Sequence, residues 1–154
     1  MSEHRMAWLV TTDDAVAVGD PWRDHVLLTT EGLVHRRLDV DAEAMVDEAT
    51  WSWADVTDLL VSAPTSRTSK PGLWAFLRAA ATEATGWGST LSSVEVAVRI
   101  VHADGTDVLL LLDGHTGGGY PAEDQEEAHA MLRRVLEDPG TLPQIRNLIA
   151  HPDA

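Results

Sequence analysis

A long β-hairpin followed by one amphipathic helix, spanning Val94 to Asp138, constrains the fold of this chain more than any other stretch. Val94, Val96, Val98 and Ile100 alternate with Glu95, Ala97, Arg99 and Val101, the period-2 pattern of a strand with one face buried. The alternation stops at Asp104-Gly105. That dipeptide suits a two-residue type I′ turn, which needs φ > 0 at both positions. Folding about it predicts Ile100 opposite Leu109 and Val98 opposite Leu111. The return strand, Val108 to Leu112, is apolar on both faces, so each face requires a cover.

The helix supplies one cover. Ala128, Met131, Leu132, Val135 and Leu136 fall at i, i+3, i+4, i+7 and i+8, a single apolar stripe. Pro121 fits the first turn, where its missing N–H costs nothing. Glu123, Asp124, Glu126 and Glu127 sit at the positive end of the helix dipole, and Arg133 and Arg134 lie towards the negative end. Pro139-Gly140 stops the helix.

The earlier part of the chain offers shorter signals. Met6 to Thr11 and Ala15 to Val18 flank Thr12-Asp13-Asp14 and read as a first hairpin. Val26 to Thr30 and Leu33 to Arg37 flank Glu31-Gly32 and read as a second. Asp39 to Glu48 is acidic with only Met45 and Val46 apolar, which predicts a loop or one helical turn. From Thr50 to Val61 the apolar register changes around Ala54-Asp55, a bend or bulge between two strand halves. Pro64 to Gly72 is a linker rich in Ser, Thr and Pro. Leu73 to Thr85 is a predicted helix, with Leu73, Phe76, Leu77, Ala80, Ala81 and Ala84 in one stripe and Gly86 past its end. Ile145, Leu148 and Ile149 mark a last short helix over about residues 143–150.

With 154 residues the chain is long enough for one domain with a real core and no staples. Cysteine is absent, which excludes disulfide and thiol chemistry. The first residues lack the apolar run of a signal peptide, and no stretch approaches the roughly 20 apolar residues that span a bilayer. A soluble, cytoplasmic protein is the expectation. Net charge is −14, from 25 Asp and Glu against 11 Lys and Arg. Such a surface repels phosphodiester backbones and anionic head groups, so nucleic acid and membrane are poor partners.

Strand pairs followed by a terminal helix, with no strand after it, predict an antiparallel α+β fold rather than a parallel sheet. Val26 to Val34, then Trp53-Ala54-Asp55-Val56, then the long hairpin and amphipathic helix, resemble the bacterial pleckstrin-homology-like domains. The resemblance covers about residues 26–138. It implies a seven-stranded, partly open antiparallel barrel plugged at one end by the helix. The segment of about residues 64–92, with the 73–85 helix, becomes an insertion. Phosphoinositide binding, which members of that family achieve with a basic loop mouth, does not carry over, because no Lys or Arg cluster occupies the corresponding loops.

Candidates for chemistry are weak. Asp113-Gly-His-Thr-Gly-Gly-Gly-Tyr-Pro121 is glycine-rich, but its spacing matches no phosphate-binding loop and the acids after it would repel an anion. Asp39, Asp41 and Glu43 begin like a calcium loop, yet Ala44 stands where glycine is needed and Thr50 where the closing acid is needed. The seven histidines show no i,i+4 pair and no His-Glu-x-x-His. No catalytic residue, metal site or cofactor is expected. Trp51 and Trp53 read as core. Leu73, Trp74, Leu77 and Trp87 read either as a helix edge sealed against the domain or as a partner-binding patch, since aromatic anchors dominate interfaces.

The function expected from sequence is therefore a non-enzymatic binding or scaffolding domain, with a protein partner or a second copy of itself. The alternative of a different class is a small-molecule binder or small enzyme with a pocket in the barrel mouth.

Overall fold

The computed structural model describes residues 4–66, 95–114 and 119–151. The predicted 73–85 helix, and with it Leu73, Trp74, Leu77 and Trp87, lies outside the described residues. Strands β1 (Arg5–Met6), β2 (Leu9–Thr11), β3 (Val16–Gly19), β4 (His25–Leu28), β5 (Gly32–Asp39) and β6 (Ala44–Ser52) form one antiparallel sheet in chain order. Strands β7 (Val56–Ser62), β9 (Glu95–His102) and β10 (Asp107–Asp113) form a second antiparallel sheet with β9 at its centre. A short parallel pairing joins β8 (Thr65–Ser66) to β11 (Tyr120–Pro121). Two helices follow, α1 (Ala122–Glu137) and α2 (Leu142–Ala150).

The chain forms the expected α+β class with antiparallel sheets, and its described strands make no closed barrel. Among the described residues the strands make two open sheets, one of six strands and one of three, and no ladder closes them on each other. The chain leaves the first sheet through a 3-10 turn, Trp53–Asp55, where Ser52 Oγ accepts from Ala54 N. This is the bend expected at Ala54-Asp55, and it starts a new sheet instead of continuing the old one. The first three strands, which lie before the region of family resemblance, belong to the same six-stranded sheet.

Among the described residues two buried clusters form: a small one of Val10, Ala15, Ala17 and Leu27 on one face of the first sheet, and a large one that joins all layers. The first sheet contributes Leu9, Val16, Val18, Val26, Leu28 and Leu33, and the second contributes Leu59, Val61, Val96, Val98, Ile100 and Leu112. Against them pack Ala128, Met131, Leu132 and Val135 of α1 and Leu142, Ile145 and Ile149 of α2. The predicted stripe of α1 faces this core, with Leu136 at its margin. Trp51 and Trp53 are half-buried against it, and Trp53 Nε1 donates to Thr29 O at 2.7 Å.

Three expectations fail for identifiable reasons. The run from Met6 to Thr11 is not one strand: Ala7, at φ +51°, turns the chain so that β1 pairs back on β2. The stretch from Ala44 to Glu48 is strand, not loop or helical turn. The hairpin turn is tighter, with Asp39 Oδ1 accepting from the backbone N–H of Asp41 and Ala42 and Glu43 at φ +52°. Its polar residues pair across the strands, Arg36 with Asp47 and Arg37 with Glu48, so they carry no apolar alternation to read. In the long hairpin Gly105 has φ +88°, but it is the only residue of the Asp104-Gly105 pair in that region. Gly105 N donates to His102 O and His102 N to Thr106 O, which makes a three-residue loop with a bulge. The register slips by one residue: Ile100 faces Val108, and Val98 faces Leu110. A one-residue slip exchanges the two faces.

Gly32 looked like a turn glycine, yet its backbone is ordinary and its role is steric. A Cβ there would stand 1.9 Å from Trp51 O, because β5 and β6 close on each other at this point. Gly32→Ala is expected to cost at least the ~1–3 kcal/mol of an overpacked site. An unchanged urea midpoint would show that β5 and β6 do not approach so closely. Leu132→Ala should lose about 2–5 kcal/mol, whereas Glu126→Ala on the solvent side should change stability by less than about 0.5 kcal/mol. Equal losses in thermal melts would mean that the stripe does not face the core.

Candidate functional site

The register of the long hairpin decides what its return strand shows to solvent. Val108, Leu110 and Leu112 turn inward, and Leu109 and Leu111 are left on the outer face, 66% and 60% exposed. Pairing places Leu60 and Leu109 on either side of Arg99, and Ser62 and Leu111 on either side of Ala97. Leu60 is 45% exposed on the same face. The result is a surface with leucines on the two outer strands, β7 and β10, and with Arg99 of β9, ion-paired to Asp107, between Leu60 and Leu109. It adjoins an open edge, because β10 is hydrogen-bonded only to β9 among the described strands. Large apolar side chains gathered on one exposed face mark interaction sites more often than single ones do.

A second feature is concave. A cleft of about 630 Å³ opens between β2, the loop from Gly19 to His25, and α2, lined among others by His4, Asp13, Trp22, Arg146, Asn147 and His151. Arg146 reaches it from α2 and donates from both Nε and Nη2 to Thr12 O, at 2.8 and 2.6 Å. The rings of His4 and His151 stand 6.2 Å apart, centroid to centroid. Trp22, 73% exposed, forms part of the rim. Asp20 Oδ1 accepts from Trp22 N and so fixes the turn that presents the indole. A neighbouring hollow of about 680 Å³ shares Asn147 and His151 and adds Arg134.

The remaining sequence candidates separate. Asp39, Asp41 and Glu43 belong to the β5–β6 turn, where Asp39 is occupied by backbone N–H groups. No group of three or more metal-ligating side chains gathers among the described residues. Part of the glycine-rich loop, residues 115–118, lies outside the described residues. Its end is structural: Tyr120 N donates to Pro64 O at 2.9 Å, and the buried Gln125 amide donates to Tyr120 O. No described helix is long and apolar enough to cross a membrane. Neither the known family models, nor the curated proteins, nor the solved structures yield a match to this chain.

Sequence reasoning missed two buried polar sites. His25 is buried in β4, and its Nδ1–H donates to Arg23 O at 2.8 Å. Burial lowers its pKa, with the Arg23 hydrogen bond opposing and the nearby Arg36 charge assisting. The signal was its place at the start of an apolar strand, where a neutral imidazole passes for any core residue. Trp8 is fully buried, and its Nε1–H has no hydrogen-bond partner among the described residues. It meets the His129 ring edge-on at 5.1 Å. Desolvation, then the Arg133 charge, lowers the pKa of His129 as well.

Both histidines tie stability to pH with one sign. The fold favours the neutral imidazole, so their contribution is complete above the ordinary value of 6.5 and is lost as pH falls from there through the lowered folded value. Urea midpoints should decline on the acid side of about pH 6.5. His25→Asn, which keeps a donor for Arg23 O, should flatten part of that decline. An unaltered pH profile would show that His25 does not titrate with folding.

Proposed function

We propose that this chain is a non-enzymatic protein-binding domain of pleckstrin-homology-like architecture, and that the outer face of its three-stranded sheet receives the partner. The observation that carries this reading is the leucine surface of Leu60, Leu109 and Leu111 beside the open edge of β10. Full burial of a leucine is worth about 1.5–3 kcal/mol, and covering the exposed remainder of these three recovers roughly half of that for each, so a surface of this kind is costly to leave bare without a use. The open edge adds main-chain donors and acceptors, which an extended segment of a partner can pair as an added strand.

The architectural part of the proposal is supported by element order. A meander of antiparallel strands is followed by the strands of a second antiparallel sheet and then by an amphipathic helix. That is the succession the family resemblance implies. The described sheets leave no barrel mouth, which weighs against the alternative of a pocket there.

Charge indicates the kind of partner. At −14 the chain repels a second copy of itself and attracts a basic protein. The partner is therefore a basic protein whose extended segment alternates apolar side chains towards Leu109 and Leu111. Leu73, Trp74, Leu77 and Trp87 remain partner-binding candidates on sequence grounds alone.

The double substitution Leu109→Ser/Leu111→Ser tests the reading. Both side chains are exposed, so the thermal midpoint should shift only as surface substitutions do, by about 0.5 kcal/mol or less per site. A partner retained by the unaltered protein should be lost by the variant, and its association rate should fall as salt rises. A loss of several kcal/mol on substitution, or a partner held equally by both proteins, would overturn it.

A further inference from the structure

We propose that the cleft between β2, the Gly19–His25 loop and α2 is a binding site for a small aromatic monocarboxylate. Its volume, about 630 Å³, is that of a small-ligand site rather than a macromolecular groove. Its lining is less acidic than the protein as a whole. The chain carries 25 acids against 11 Lys and Arg, but among the described residues the lining sets one carboxylate, Asp13, against one guanidinium, Arg146.

Arg146 is set up to take an acid. Two N–H groups on one edge of its guanidinium are spent on Thr12 O, which holds the plane of the group. A carbonyl orients a guanidinium without neutralising it, and Arg146 has no carboxylate partner among the described residues. A planar carboxylate is the ligand whose geometry matches the fork. The ligand's ring is assigned to Trp22. A rim tryptophan 73% exposed offers an apolar aromatic face to a second ring, and stacked or edge-to-face pairs add about 0.5–1.5 kcal/mol to the area buried. Asn147, also lining the cleft, supplies an amide for a further polar substituent.

Asp13 and the overall charge limit the ligand to one negative charge. A second charge placed in the same cleft meets the Asp13 carboxylate at short range and the rest of the protein at long range. A phosphate dianion is therefore excluded by the site that admits a monocarboxylate.

The test is a titration of the whole protein followed by two-dimensional ¹⁵N–¹H spectra, with phenylacetate as probe. The controls are 2-phenylethanol, which keeps the ring without the charge, acetate, which keeps the charge without the ring, and inorganic phosphate. The Trp22 indole signal is assigned by its disappearance in Trp22→Ala. Phenylacetate should shift that signal saturably at millimolar concentration, with each control at least about tenfold weaker. Followed on the Asn147 side-chain amide signal, Trp22→Ala and Arg146→Lys should each weaken phenylacetate about tenfold. Asp13→Asn should tighten it and bring phosphate into the measurable range. Trp22 and Asp13 are exposed, so their variants keep the test intact even where Arg146→Lys disturbs the Thr12 contact. Absence of saturation, equal responses to ring-only and charge-only controls, or affinities unaffected by both Trp22→Ala and Asp13→Asn would overturn the proposal.

Discussion

The inner rows of the two sheets cannot leave water without each other. Leu9, Val18 and Val26 of the first sheet and Val96, Val98 and Ile100 of the second are all fully buried, and they belong to one cluster with the stripe of α1. The three-stranded sheet carries one face to this core and leaves the other solvated, whereas β2, β3 and β4 of the first sheet are buried on both faces. The position of α1 is fixed by short anchors at both ends. Tyr120 and Gln125 tie its start to Pro64, and Asp138 caps the 3-10 turn Pro139–Thr141 that leads into α2. With α1 held on the inner side, nothing among the described elements lies over Leu109 and Leu111. The leucine surface is thus a by-product of how the core is closed.

Electrostatics plays a different part on the two faces of the molecule. The exposed pairs Arg36–Asp47, Arg37–Glu48 and Arg99–Asp107 join neighbouring strands. Each such pair contributes about 0–1 kcal/mol, so they steady register more than they hold the fold. The remaining excess of acid acts at long range, as a field over the whole surface. In the cleft beneath Trp22 that excess is locally balanced, by a guanidinium fixed on a carbonyl instead of a carboxylate.

Much of the fold was legible because periodicity and helix ends agree. The stripe of α1, the hairpin built from β2 and β3, and the bend near Ala54 follow from residues a few positions apart. The misses involve turn geometry and strand pairing that no local pattern announces. Whether Asp104-Gly105 makes a two- or three-residue loop is decided by hydrogen bonds at His102 and Thr106, and that choice moved Leu109 and Leu111 to solvent. The strand from Ala44 to Ser52 is held by pairing with β5, not by its own alternation. Gly32 is needed because of Trp51, nineteen positions away in sequence. The cleft had no signature at all, since His4, Trp22 and Arg146 meet only after the first and last elements pack together. The four anchor residues between Leu73 and Trp87 lie beyond what the structure describes.

The order of strands in the second sheet has a kinetic consequence. All six strands of the first sheet pair with their neighbours in sequence, so on a growing chain each ladder can form as soon as its second strand emerges. β7 differs. Its only described partner is β9, which begins at Glu95, 33 residues after Ser62 ends β7. Closing a loop of that length costs little more entropy than closing a shorter one, but it cannot begin until the later residues exist. During synthesis the completed meander therefore presents Leu9, Val18, Val26 and Leu33 to water, with Leu59 and Val61 waiting beside them. The same acidity that shapes the finished surface also keeps such half-made chains apart on the ribosome.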